Sequence, residues 1–177
     1  MKYKNLSLKN VTLFLLLCLP TLLQQSCRAV DYVNDVNTWL AGIEQKMQKT
    51  VKKYNSEWAK QSIDYQEGSG LVLDVNSFTV TPDKVKRGGV VTINMQYVIA
   101  GAGQQKVKLK QTKDLWFNDR KIVELDADEV VCEDGTWENS TSFKVPDSAQ
   151  TGKHKVKQTL VVNDTKVQSL GFFTVTQ

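Results

Sequence analysis

The stretch Thr136-Trp-Glu-Asn-Ser-Thr-Ser-Phe143-Lys-Val-Pro146, followed by Asp147-Ser-Ala-Gln-Thr-Gly152, decides the fold class. A Glu-Asp-Gly turn introduces Trp137, and Pro146 and Gly152 bracket a second turn. From Lys153 to Val162 the chain alternates polar and apolar residues. A short polar turn then leads to Leu170-Gly-Phe-Phe-Thr-Val175. Alternation with period two, punctuated by proline and glycine, reads as the last strands of a small antiparallel sandwich.

Working outward, the same period continues back to Leu71. Strands are expected over 71–81, 91–99, 106–110, 129–133, 141–145, 153–162 and 170–176. Leu115-Trp-Phe117 and Ile122-Val-Glu-Leu125 flank an Asn118-Asp119 turn and read as a hairpin. About eight strands at this spacing, with no helical pattern among them, predict a sandwich over 71–177. Residues 64–70, ending Gly-Ser-Gly70, read as a linker.

Residues 28–63 carry a different period. Val33, Val36, Leu40, Ile43, Met47, Val51, Tyr54 and Trp58 follow steps of three and four, and no proline interrupts them. The expectation is one long amphipathic α-helix preceding the sandwich. Val36, Leu40, Ile43, Met47, Val51, Tyr54 and Trp58 would form its apolar stripe. Such a stripe must be covered by the sandwich, by a second copy of the chain, or by a protein partner.

Residues 1–27 hold Lys2, Lys4 and Lys9, no acid, and an apolar run from Val11 to Leu23. That pattern reads as an export signal, since the run falls short of the ~20 residues a spanning helix needs. Residues 28–177 then carry 20 basic and 19 acidic side chains, so the formal charge of +4 belongs mostly to the leader. Bulk charge gives no support to a nucleic-acid partner.

Two resemblances follow from these residues. Leu23, Ser26 and Cys27 resemble a bacterial lipobox, departing from it at Gln24. This implies lipidation at Cys27 and a tether to a membrane face of the cell envelope. Ordinary cleavage after Ala29, giving a periplasmic or secreted protein, stands beside it. Residues 71–177 resemble a bacterial immunoglobulin-like or fibronectin-III-like domain of exported proteins. The marks are Thr-Val-Thr-Pro82, Arg-Gly-Gly89, Asp-Gly-Thr-Trp137 and Phe-Lys-Val-Pro146, with His154 where that family commonly places an aromatic. The resemblance implies a mainly β, antiparallel immunoglobulin-like sandwich and is silent on function.

Candidates for chemistry are few. His154 is the only histidine, and it stands after a turn on an expected strand, where corner packing suits it. No phosphate loop is present, no cofactor or metal is expected, and the chain reads as non-enzymatic. Glu124, Asp126, Asp128, Glu129, Glu133 and Asp134 form an acidic run whose spacing matches no EF-hand loop. Lys106, Lys108 and Lys110 share one strand face, as do Lys153, Lys155 and Lys157. In an immunoglobulin-like arrangement those two strands are neighbours, so six lysines are expected to form one patch for an anionic ligand such as an acidic glycan. Trp116, Phe117 and Trp137 are candidate sugar-stacking aromatics. The functional expectation is an interaction module of the bacterial envelope. A glycan-binding adhesin and an assembly factor oligomerising through its helix are the alternatives.

Overall fold

The computed structural model describes Trp39 and residues 47–177. Cys27, Val36, Leu40 and Ile43 lie outside the described residues.

Nine strands and one short helix make up residues 47–177. They are β1 (Met47–Tyr54), α1 (Ser56–Ser62), β2 (Val72–Thr81), β3 (Lys84–Lys86), β4 (Val90–Ala100), β5 (Val107–Phe117), β6 (Arg120–Cys132), β7 (Gly135–Lys144), β8 (Gly152–Val162) and β9 (Thr165–Thr176). A four-stranded sheet runs β1-β7-β4-β2 and a five-stranded sheet runs β3-β9-β8-β5-β6. All pairings are antiparallel except β3 with β9. The two sheets face each other as a β-sandwich, with apolar side chains between them.

The long amphipathic helix is corrected from Met47 onward. Residues 47–54 form edge strand β1, which pairs with β7 from Met47 opposite Ser142 to Tyr54 opposite Thr136. The apolar spacing misleads for a physical reason. Positions 47 and 51 are four apart, an even step that shares one face in a strand as well as in a helix. The odd step from Val51 to Tyr54 is absorbed by a bulge between Lys52 and Tyr54. Thr50 and Val51 are β-branched, and the open edge of β7 offers hydrogen bonds that local helix formation cannot match. From Met47 onward, helical geometry is confined to the seven residues of α1, where the Asn55 side chain caps the Trp58 amide at 3.1 Å. Its Ala59 is buried against Val98 and Ala100 of β4. Tyr54 and Trp58, expected on the long stripe, instead stack on each other with ring centroids 4.1 Å apart.

Several expected strands merge. The pieces at 106–110 and 115–117 belong to one strand, β5, and those at 122–125 and 129–133 to another, β6. The hairpin at Asn118-Asp119 is present, both residues having positive φ of 49° and 58°, the conformation that matches the twist of the flanking strands. Residues 64–70 fold back on the sandwich. The Tyr65 hydroxyl donates to the Gly70 carbonyl at 3.0 Å. Gly101, at φ +86°, lies so close to that carbonyl that a Cβ would collide with it.

The interior is divided. One apolar cluster joins Ile93, Leu115, Phe143, Val156, Phe173 and the wholly buried Trp39. A second joins Met95, Tyr97, Leu109, Cys132, Leu160 and Val162. On three strands the inward residues between these clusters are polar: Gln111 and Lys113 on β5, Asn139 and Thr141 on β7, and Gln158 on β8. Lys113 stands directly opposite Asp126 on β6, and its ammonium donates to that carboxylate at 3.1 Å. A buried ion pair thus joins β5 to the edge strand β6 on the inner face of the five-stranded sheet.

Candidate functional site

The outer face of the five-stranded sheet carries the lysines. Strands β5 and β8 are neighbours, as expected, but their register separates the two lysine groups. Each triplet sits at the start of its strand, and antiparallel neighbours begin at opposite ends of a sheet. Lys110 therefore lies opposite Val161, while Lys155 lies opposite Trp116 and Lys157 opposite Asp114. Four residues of β5 separate Lys110 from the row of Lys157, about 13 Å along the strand. The single six-lysine patch is corrected to two separate groups. In the first, Lys108 pairs with Glu129 at 3.1 Å, with both side chains well exposed; Lys106 lies just before β5.

The second group has aromatic company. Reading across the sheet through one row of paired residues, Phe172 on β9 is followed by Lys155 on β8, Trp116 on β5 and Lys121 on β6. Rings and ammoniums alternate over four strands, a little under 5 Å apart strand to strand. One row on, Leu170 stands beside Lys157. Phe172 and Leu170 are 45% and 56% exposed, unusual for large apolar side chains on a sheet face. The Lys153 ammonium lies 4.2 Å from the centre of the Phe172 ring, and those of Lys155 and Lys157 lie 5.2 and 5.0 Å from the Trp116 ring. Those distances are within cation–π range.

The half-buried Trp116 lines two shallow grooves. One, of about 420 Å³, is lined by Trp116, Phe172 and Leu170 with Lys153, Lys155, Asn118 and Asp119. The other, of about 330 Å³, lies on the β6 side with Asp119, Arg120 and Lys121. Their electrostatics differ. Lys121 reaches Asp114 at 2.6 Å and Glu124 at 3.2 Å, and the hydrogen bond to Asp114 is the main cause that raises its ammonium above the usual lysine range. Lys155 meets the exposed Asp119 at 3.0 Å. Positive charge is thus offset at Lys121 and at Lys155, while Lys153 and Lys157 keep the β8–β9 side positive.

The other aromatics named from sequence face elsewhere. Phe117 points inward and stacks on His154 with centroids 4.6 Å apart. Trp137 is half-buried beside the second apolar cluster, its indole N–H donating to the Glu133 carbonyl at 3.0 Å. His154 is buried between Phe117, Phe173 and Trp39, with Nδ1 3.1 Å from the Gly152 carbonyl oxygen. Burial pushes its pKa down to about 4.

The acidic run is absorbed into structure. Asp134 accepts from the amides of Gly101, Ala102 and Gly103 at 2.9–3.2 Å and so holds the β4–β5 turn. Glu133 pairs with Lys52 at 2.6 Å and Asp128 accepts from Gln48 at 3.4 Å, which joins the edges of the two sheets. Among the described residues no cluster of three or more histidine, cysteine or acidic groups is arranged to hold a metal ion.

Phe172 and Leu170 are the site residues that sequence reasoning passed over. In Leu170-Gly-Phe-Phe-Thr-Val175 the alternation assigns Phe172 and Phe173 to opposite faces, so one of the pair had to point to solvent. Which one could not be read without the register.

No protein-family model and no curated protein matches the sequence. Solved structures with a similar fold include the alkylpurine DNA glycosylase AlkC of Pseudomonas fluorescens bound to DNA containing an abasic site analogue. It shares 14% identity over 59% of this chain and 30% of its own, with a TM-score of 0.45. A family 123 glycoside hydrolase from Clostridium perfringens shares 8% identity over 75% of this chain and 27% of its own, at 0.48. A CARDB domain from Pyrococcus furiosus, in complex with di-metal ions, shares 16% over 61% of this chain and 89% of its own, at 0.40. The chain therefore spans less than a third of the first two proteins, and similarity at this level concerns the fold alone.

Proposed function

We propose that this protein is an exported, non-enzymatic interaction module of the bacterial envelope, tethered by lipid at Cys27, that engages an anionic partner. The observation that carries the recognition step is the alternating row Phe172–Lys155–Trp116–Lys121, flanked by Lys153 and Lys157. Three lysines at one end of a β-sheet, with the exposed Phe172 ring and the half-buried Trp116 ring among them, favour ligands of opposite charge. The leader and the lipobox-like Leu23-to-Cys27 stretch support the envelope address.

Chromatography on immobilised dextran sulfate with a salt gradient tests the recognition step. The protein should be retained at low salt and elute as screening sets in. Lys153→Glu, Lys155→Glu and Lys157→Glu combined should abolish retention, while the same change at Lys106, Lys108 and Lys110 should leave most of it. Equal retention of the two triple variants would refute the assignment. For the tether, Cys27→Ser should move the protein from the membrane fraction to the soluble one. Unchanged fractionation would remove lipidation from the proposal.

A further inference from the structure

We infer that the ligand of this face is an acidic saccharide, its sugar rings stacking on Trp116 and Phe172 and its anionic groups meeting Lys153, Lys155 and Lys157. This rests on the recognition face proposed above and narrows it to one chemical class.

The arrangement of the face favours sugar over other anions. A simple polyanion needs ammoniums alone and gains nothing from exposed rings. A protein partner is best met by an apolar centre with charge at the rim. Here cations and rings alternate residue by residue. A saccharide bearing carboxylate or sulfate groups presents the matching alternation, since its C–H faces stack on aromatics while its acid groups take charge-assisted hydrogen bonds. Phe172 and Trp116 stand two strands apart, ~10 Å, with Lys155 between them. Each ring can therefore serve a different sugar unit while the lysine meets the acid group that joins them.

Charge also selects the groove. Asp114 and Glu124 hold Lys121 on the β6 side of Trp116 and repel an anion there, whereas Asp119 lines both grooves and engages only Lys155. The groove between Trp116 and Phe172, bordered by Lys153 and Lys155, is left as the seat. In the free protein the lysine ammoniums rest over the very rings a sugar would use. An anionic group draws them off the ring faces, so charge neutralisation and ring exposure occur in one step. A neutral sugar has nothing with which to move them. This predicts discrimination against uncharged saccharides.

The test is calorimetric titration of the full protein with hexagalacturonate, a heparin hexasaccharide, linear polyphosphate of matched charge and maltohexaose. At least one acidic oligosaccharide should bind more tightly than polyphosphate, and maltohexaose should not bind. Trp116→Ala and Phe172→Ser should each weaken the acidic saccharide about three- to tenfold, the size of one stacking contact, and leave polyphosphate unchanged. Tryptophan emission should change on binding in the parent protein and lose that change in Trp116→Phe. Phe172 is exposed, so its variant keeps the test decisive if Trp116→Ala does not fold. Polyphosphate binding as tightly as either saccharide, with no effect of the ring variants, would overturn the saccharide inference and leave the anionic face standing. Binding of none of the anions would overturn both. Concentration-dependent dimers dissolved by Phe172→Ser, without saccharide binding, would make the face a self-interface and overturn the inference.

Discussion

Replacing Lys113 by Met removes the ammonium that Asp126 faces on the inner side of the β5–β6 pair. The two side chains are 0% and 4% exposed and 3.1 Å apart, so water cannot take over from the lost partner. A buried pair broken on one side costs about 3–5 kcal/mol, because a charge is left desolvated without its counter-charge. Lys108→Met breaks a pair whose side chains are 74% and 40% exposed, and an exposed pair is worth less than about 1 kcal/mol. The double replacement Lys113→Met with Asp126→Leu removes both charges and fills the space with apolar atoms. Its stability should return close to that of the parent, or exceed it. Urea unfolding followed by circular dichroism measures all four proteins under one condition. The reasoning fails if Lys113→Met costs no more than Lys108→Met, or if the double variant is as unstable as the worse of the two single ones.

Stability should fall as pH drops from about 6.5 toward about 4, because His154 is held neutral by burial in the fold, so the unfolded chain takes up its proton first. A shift of that size corresponds to about 3 kcal/mol, and thermal melts at stepped pH should show this loss in the parent but not in His154→Phe. Asp134→Ala removes the acceptor of three backbone amides in the β4–β5 turn and should cost roughly 3 kcal/mol in urea unfolding; a cost below about 1 would show that the turn holds itself. Gly171→Ala places a methyl group into Val80 and Phe78 of the facing sheet, so overpacking should destabilise by about 1–3 kcal/mol, measured as a lowered melting temperature, and an unchanged temperature would refute the tight contact.

Much of the sandwich was legible because strand signals are local. Period-two alternation in 91–99 and 153–162 and the Asn118-Asp119 turn are each written in a few neighbouring residues, and each stands where it was expected. The stretch 47–54 was not legible, since its spacing suits a helix stripe and a bulged strand equally well. Only the hydrogen bonds waiting on β7 distinguish them. The inward turn of Lys113 was equally hidden. A lysine between two expected strand pieces reads as solvent-facing loop, and its burial depends on Asp126 thirteen residues away.

For the candidate site, the residue types were visible and their assembly was not. The sequence by itself determined that Lys153, Lys155 and Lys157 share a face, because strand alternation is a property of the backbone at every residue. It also determined the mainly β class and the placing of His154 in a packing role. Only the tertiary structure decided which lysines meet which rings. Neighbouring antiparallel strands begin at opposite ends of their sheet, and the register between β5, β8 and β9 parts Lys106, Lys108 and Lys110 from the other three while bringing Trp116 and Phe172 to them. Register follows from pairing between distant segments, and no local pattern in one strand records it.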